Sequence, residues 1–274
     1  MNLFLRCLVA AVGIPAIYLL VRWGSWYFIA FVTAQVALAV HEFFLIAQRK
    51  GLRPLASIGT LAAALLPVTA YIWLDRQQPD WLLLVLVGVL VFICLAALGR
   101  EDAVSGAVAR MSATVFGVFY VGGLLSFQVI LRHDPRFSAQ EGFYWVFLTY
   151  LVTWSVDVGS YLFGSLFGKH KLCPRLSPGK TVEGFAGGLL LAIPVSYLVG
   201  LQVMELFGWG NAVAFGLLIG LTAPVGDLVE SLFKRDAGLK DSSNFIPGHG
   251  GVLDRFDSLI FTVPLAVLFR SVIN

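Results

Sequence analysis

Charged residues are scarce in this chain. Asp, Glu, Lys and Arg make up only 13% of its 274 residues, whereas roughly 25% is usual for a soluble domain. Hydrophobic residues account for 58%, and this combination excludes both a water-soluble globule and an intrinsically disordered chain. The composition therefore indicates an integral membrane protein.

Cysteine is also scarce, and its placement predicts no disulfide framework. Cys7 and Cys94 fall in apolar runs, and Cys173 stands alone in a basic segment. None of the three has the spacing of a Cys/His metal site. The net charge of only +3 also gives no reason to expect nucleic-acid binding.

Long apolar runs, by contrast, are abundant. A bilayer core of about 30 Å requires about 20 apolar residues per helix. Nine runs approach this length, and they cover approximately residues 7–21, 26–47, 55–74, 81–99, 112–131, 143–167, 184–207, 211–233 and 255–273. We predict an all-α, polytopic helical membrane bundle of about nine transmembrane helices, forming a single domain over residues 1–274.

The positions of the cations predict the orientation of this bundle. Most of the 19 Lys and Arg residues lie on one side if the N-terminus is cytoplasmic, and short basic loops stay in the cytoplasm. We therefore expect a cytoplasmic N-terminus, a C-terminus outside, and polar cytoplasmic segments at 168–183 and 234–254. The helices up to about residue 131 then form a scaffold, and residues 143–274 carry the site.

Three aspartates fall within the predicted membrane helices, at Asp157, Asp227 and Asp257. An ionisable group at a helix centre costs about 2.5 to 3.5 kcal/mol on insertion scales, so each requires a compensating role. All three belong to the cytoplasmic half of their helices, where they could surround one polar cavity open to the cytosol.

Carboxylates recur at helical spacing in the last two runs. Asp227, Glu230 and Ser231 stand at i, i+3 and i+4, so they share one helix face, and Asp254 and Asp257 repeat the i, i+3 spacing. Two such acidic pairs favour a divalent cation, because Mg²⁺ binds hard oxygen ligands together with substrate phosphates. Buried ion pairs with Lys234, Arg235 or Arg255, or a proton path, remain alternatives.

The sixth run combines a polar pair with a stripe of small residues. Asp157 and Tyr161 stand four residues apart, and the stripe consists of Ser160, Gly164 and Gly168. Small residues at this spacing favour close packing against another helix. A substrate groove is the alternative interpretation.

The segment before the seventh run can attract an anion. Ser177, Gly179 and Thr181 precede a predicted helix, whose N-terminal amides favour negative charge, and Lys180 lies among them. The segment is not a Walker loop, because position 174 is Pro where that motif requires Gly. An ordinary helix N-cap with topogenic lysines is the alternative.

The stretch from Ser231 to Asp257 is the most informative part of the sequence. It resembles the signature of phosphatidate cytidylyltransferases, also called CDP-diacylglycerol synthases. The matching positions are Ser231, Lys234, Arg235, Lys240, Asp241, Pro247, His249, Gly250, Gly251, Asp254, Arg255 and Asp257. Asp157 with Tyr161, and the run from Ser177 to Thr181 followed by Glu183 and Gly184, also resemble the family.

This resemblance implies a Mg²⁺-dependent enzyme that transfers CMP from CTP to phosphatidic acid and releases pyrophosphate. The implied metal ligands are Asp227, Asp254 and Asp257, and a second cation such as K⁺ remains open. Lys234 and His249 join these three as implied catalytic residues. The implied substrate-binding residues are Asp157, Tyr161, Ser177, Gly179, Lys180, Thr181, Arg235, Lys240, Asp241, Gly250, Gly251 and Arg255.

Two other classes of protein are alternatives to this one. A secondary transporter would show an inverted hydropathy repeat and carboxylates near the middle of the membrane. A CDP-alcohol phosphotransferase would show Asp-Gly-x-x-Ala-Arg followed by two spaced Asp residues, and this string is absent. The resemblance implies CTP and phosphatidic acid as partners within the lipid bilayer. We expect a multi-pass protein of the bacterial inner membrane, with no nucleic acid bound and a homodimer as one assembly.

Overall fold

The computed structural model describes residues 3–76, 79–99, 104–243, 245 and 250–273. His249 and Pro247, which the signature includes, lie outside these ranges. Within them the chain is almost entirely helical, which confirms the prediction of a polytopic helical membrane protein. The helices are α1 Leu3–Trp23, α2 Ser25–Arg49, α3 Ala56–Arg76, α4 Pro79–Leu98, α5 Ala107–Phe116, α6 Leu124–His133, α7 Ala139–Phe167, α8 Val182–Val195, α9 Trp209–Asp236 and α10 Leu253–Ile273.

Seven helical stretches among the described residues are long and apolar enough to cross a membrane. They are Ser25–Arg49, Ala56–Arg76, Ala107–His133, Ala139–Phe167, Val182–Val203, Trp209–Asp236 and Leu253–Ile273. Two contain a π-helical turn, Gly117–Gly123 between α5 and α6 and Ser196–Val203 after α8. Shorter apolar helices at Ala11–Trp23 and Leu83–Leu98 coincide with the first and fourth predicted runs.

The segment at 168–183 differs from the loop expected there. It contains a two-stranded antiparallel hairpin of β1 (Lys171–Cys173) and β2 (Ser177–Thr181), with Lys171 paired to Thr181. Ser177 and Gly179 therefore lie in a strand, and only Thr181 reaches the helix. Thr181 caps α8, because its hydroxyl accepts a hydrogen bond from the Gly184 amide at 3.1 Å.

The chain divides into two compact units. Unit 1 contains Met1–Arg136 and Phe233–Phe256, and unit 2 contains Phe137–Leu232 and Asp257–Asn274. The predicted split into an N-terminal scaffold and a C-terminal catalytic half stays a prediction. Each unit has its own core and is described separately below.

Aromatic residues and glycines build the core of unit 1. The Phe43, Phe116 and Tyr120 rings all pack near the Phe233 ring, with centroids 5.6 to 5.7 Å away. A side chain at Gly117 would collide with the Phe43 and Phe44 rings. Because lipid offers no hydrophobic driving force between helices, such close van der Waals packing stabilises the unit.

In unit 2, α7 and α8 pack backbone against backbone. A Cβ at Gly184 would lie 2.7 Å from the Ser160 carbonyl oxygen and 3.2 Å from the Gly164 Cα. Gly159 similarly faces the backbone of Gly187 and Gly188. The prediction that the Ser160, Gly164 and Gly168 stripe serves close helix packing is therefore confirmed.

A single methyl group at this interface is expected to destabilise the protein. Gly159→Ala places a Cβ 3.0 Å from the Gly188 Cα, and such overpacking costs about 1 to 3 kcal/mol. Thermal unfolding in detergent should therefore begin at a lower temperature. Gly88→Ala is the matched control, because a Cβ at Gly88 in α4 meets no atom within 4 Å. Equal unfolding temperatures for the two variants would contradict the interface.

Candidate active site

An acidic cluster forms in unit 2 from α9 and α10. One carboxylate oxygen of each of Asp227, Glu230 and Asp257 lies within 4.8 Å of the others. Glu230 is 1% exposed and Asp257 is 9% exposed. Asp227 and Asp257 were predicted metal ligands, and the structure brings them together with Glu230. We call these three residues the acidic cluster.

Local sequence explains how two helices bring carboxylates so close. The i, i+3 spacing in α9 places Asp227 and Glu230 on one face, and the Ser231 hydroxyl donates to Asp227 Oδ1 at 3.3 Å. Gly226 allows α10 to approach, because a Cβ there would lie 2.8 Å from the Ser258 Cα. The expected shared face of α9 is thus confirmed.

The hairpin contributes a cation to this cluster. Lys180, on β2, places its ammonium 2.7 Å from Asp227 Oδ2, and both side chains are partly exposed. The carboxylates carry three negative charges when ionised, and the ammonium balances one of them. Three hard oxygen ligands beside one lysine fit a Mg²⁺ ion that shares its coordination with substrate phosphates.

A second polar network lies in unit 1 around Asp254. Lys234 Nζ donates to Asp254 Oδ1 at 2.6 Å. Asp254 Oδ2 accepts from the Ser242 amide at 3.0 Å, the Ser242 hydroxyl at 2.9 Å and the Gly251 amide at 2.7 Å. The buried ion pair considered for these acids therefore exists for Asp254. We call Lys234, Ser242, Gly251 and Asp254 the Asp254 network.

Glycines make this network compact. Gly250 has φ +79°, a backbone conformation that other residues rarely adopt. A Cβ on Gly250 would also collide with the Asp254 carboxylate, and a Cβ on Gly251 would collide with the Ser242 hydroxyl. The two signature glycines thus allow the chain to wrap closely around Asp254.

Other predicted site residues lie at the protein surface. Asp157 and Tyr161 are exposed on α7, and Gly179 is exposed on β2. Arg235, Lys240, Asp241 and Arg255 are also exposed, and Arg235 donates to the Leu239 carbonyl at 3.2 Å. Their predicted contacts with substrate stay predictions.

Two buried acids escaped the sequence analysis as site residues. Glu230 was recognised on the Asp227 face but was not assigned as a ligand. Glu42 was overlooked, although it stands inside the second apolar run and is only 4% exposed. Burying a charge in a membrane helix is costly, so an acid inside an apolar run indicates a functional or structural partner, and this signal applied to Glu42.

Comparison with known proteins identifies the class. A model of the cytidylyltransferase family matches residues 4–273, so the chain belongs to the cytidylyltransferase family. It is therefore a nucleotidyltransferase enzyme. The resemblance found in the signature is confirmed, and membership in this family argues against the transporter and the CDP-alcohol phosphotransferase.

Individual relatives agree with this assignment. A phosphatidate cytidylyltransferase of Synechocystis sp. is 32% identical over 295 residues, covering 96% of this chain and 95% of the relative. The Staphylococcus epidermidis protein of that name is 36% identical over 211 residues, 77% of this chain and 76% of its own. That of Staphylococcus aureus strain COL is 46% identical over 132 residues, 47% of this chain and 49% of its own.

Proposed function

We propose that the protein transfers CMP from CTP to phosphatidic acid, giving CDP-diacylglycerol and pyrophosphate in phospholipid biosynthesis. The relatives' names support these substrates. The observation that carries the proposal is the acidic cluster with Lys180 beside it. Carboxylates that can hold a metal ion, beside an ammonium that can bind a phosphate, are groups that stabilise the charge developing in a nucleotidyl transfer.

The chemistry demands little covalent participation from the protein. An oxygen of the lipid phosphate attacks the α-phosphorus of CTP in line, the new P–O bond forms, and the bond to the β-phosphate oxygen breaks. The phosphomonoester is largely ionised near neutral pH, so no protein nucleophile is needed. Positioning and charge neutralisation then supply most of the rate.

Asp227, Glu230 and Asp257 are the residues we propose for binding Mg²⁺, which would neutralise charge on the phosphates of CTP. Lys180 holds a phosphate beside Asp227. The resemblance adds Asp254 as a further ligand, Lys234 and His249 as phosphate-orienting groups, and K⁺ as a second cation.

The proposal extends to the location and assembly of the enzyme. The distribution of Lys and Arg along the sequence supports a cytoplasmic location for the hairpin and for the proposed site. Bacterial relatives and several apolar helices support the bacterial inner membrane. A homodimer stays a prediction.

Metal removal tests the proposed function directly. Purified protein in phosphatidate-containing micelles is expected to incorporate radiolabel from CTP into lipid only when Mg²⁺ is present. Dialysis against EDTA should abolish incorporation, and added Mg²⁺ should restore it. Undiminished incorporation after EDTA, or none with Mg²⁺ and both substrates, would contradict the proposal.

Removing the hairpin cation should weaken substrate use. Lys180→Ala deletes the ammonium that lies 2.7 Å from Asp227, and we expect the KM for CTP to rise about tenfold, because loss of one charge-assisted bond costs about 1.4 kcal/mol or more. Lys171→Ala is the matched control, because Lys171 is an exposed lysine on the same hairpin. Unchanged KM and kcat in Lys180→Ala would show that the hairpin is structural.

A further inference from the structure

Glu42 is an acid in the hydrophobic helix α2, and four donors lie within hydrogen-bond distance of its carboxylate in unit 1. Oε1 accepts from the Ser243 hydroxyl at 2.6 Å and from the Val252 amide at 3.0 Å. Oε2 accepts from the Ser242 hydroxyl at 2.9 Å and from the Leu253 amide at 2.7 Å. All four donors come from a segment about 200 residues later in the sequence.

The arrangement suits a negatively charged carboxylate. An ionised carboxylate has about four acceptor positions and no proton to donate, and here four donors surround it. Two of them are the amides of Val252 and Leu253 at the start of α10, where backbone N–H groups lack partners within the helix. The positive end of the helix dipole favours the charge further. Glu42 thus caps α10 from a distant helix.

Ser242 connects Glu42 to the Asp254 network. Its hydroxyl lies 2.9 Å from Glu42 Oε2 and 2.9 Å from Asp254 Oδ2. A hydroxyl carries one proton, so it donates to one of these carboxylates at a time. Because the Ser242 amide also binds Asp254, a shift of Ser242 would change the position of the Asp254 carboxylate and of the Lys234 ammonium bound to it.

Ser242 and Gly251 have little room to adopt another arrangement beside Glu42. A Cβ on Gly251 would collide with both the Ser242 hydroxyl and the Glu42 carboxylate. Ser242 is 6% exposed and Val252 is 5% exposed, so water cannot readily replace the Glu42 carboxylate as an acceptor. The positions of Ser242, Ser243, Val252 and Leu253 therefore depend on Glu42.

We propose that Glu42 is a positioning residue for nucleotidyl transfer, which fixes Ser242, Ser243 and the first turn of α10 and thereby orients Asp254 and Lys234. The inference rests on the proposed function, because it concerns the rate of that reaction. Glu42 acts through the loop and does not contact the reacting atoms. Supporting residues of this kind commonly change activity by about 10- to 100-fold when they are replaced.

The test combines kinetics with amide hydrogen exchange on the full-length protein in micelles. Glu42→Gln keeps the size of the side chain but replaces one acceptor oxygen by an NH2 group, which cannot accept hydrogen bonds from the surrounding donors. We expect kcat for CTP incorporation to fall about 10- to 100-fold, and exchange at Val252 and Leu253 to accelerate about tenfold. Glu42→Asp, which retains the charge, should recover part of kcat.

Gln35→Leu is the matched control. Gln35 is also buried in α2, but its side-chain oxygen accepts a hydrogen bond from Gln128 Nε2 at 3.1 Å, on a helix other than the one that Glu42 caps. We expect it to leave both kcat and the exchange of Val252 and Leu253 unchanged.

Three outcomes would overturn the inference. They are unchanged exchange at Val252 and Leu253 in Glu42→Gln, faster exchange with unchanged kcat, or an equal loss of kcat in Gln35→Leu. Failure of the proposed function is distinguishable, because the wild-type protein would then transfer no label from CTP, whereas exchange would still report whether Glu42 holds the loop.

Discussion

Asp227→Asn is expected to reduce turnover of CTP and phosphatidate about a thousandfold, which is the size of effect seen when one preorganised electrostatic contact is lost from a transition state. The asparagine keeps the size of the side chain but removes one negative charge from the acidic cluster. It also removes the charge that faces the Lys180 ammonium. The measurement is the initial rate of radiolabel transfer at saturating Mg²⁺.

Asp236→Asn provides the matched control for this experiment. Asp236 belongs to the same helix, but it is an exposed residue that pairs with Lys50 at 2.7 Å. Such surface pairs contribute roughly 0 to 1 kcal/mol, so we expect its turnover to change less than about twofold. Both variants should elute from size exclusion like the wild type. Normal turnover in Asp227→Asn would contradict the proposal that Asp227 binds the metal ion.

Asp254→Leu is expected to cost about 3 kcal/mol of stability. The side chains of Lys234 and Asp254 are only 11% and 4% exposed, so water compensates little for the lost carboxylate facing the ammonium. The protein should unfold in detergent at a clearly lower temperature and lose CTP transfer. Thermal unfolding and radiolabel transfer measure the two effects separately.

The double variant Lys234→Met with Asp254→Leu separates structure from catalysis. Replacing both members of a buried ion pair by apolar residues is often neutral for stability, but the Ser242 and Gly251 amides still lose Asp254 as their acceptor. The unfolding temperature should therefore recover part of the way from that of Asp254→Leu towards that of the wild type. Activity should remain absent, because both residues belong to the signature. A double variant as unstable as Asp254→Leu would contradict a stability cost from an unpaired Lys234 ammonium.

Local patterns predicted the helices well. Each of the nine apolar runs corresponds to one described helical stretch, because the length and hydropathy of a membrane helix depend only on neighbouring residues. The shared face of Asp227 and Glu230 followed from helical spacing for the same reason. The close packing of the small-residue stripe along α7 was also predicted from the local spacing of small residues.

Features that depend on distant partners were not predictable in the same way. The hairpin at 171–181 requires the pairing of Lys171 with Thr181. This segment contains few apolar residues, so it lacks the alternation of apolar and polar residues that would predict a strand. The close approach of α9 and α10 at Gly226 likewise has no local pattern, and Asp257 was expected beside Asp227 only from the shared polar cavity and the family resemblance. The role of Glu42 depends on hydrogen-bond donors about 200 positions later in the sequence. No local sequence pattern reveals contacts at this separation.

Binding of Mn²⁺, a spectroscopic substitute for Mg²⁺, tests the central claim most directly. Electron paramagnetic resonance of purified wild type, Asp257→Asn, Glu230→Gln and the Asp236→Asn control would measure the bound ion. We predict that Asp257→Asn and Glu230→Gln each weaken Mn²⁺ binding at least about tenfold, and that Asp236→Asn binds like the wild type. Equal binding in all four proteins would contradict a metal site at Asp227, Glu230 and Asp257.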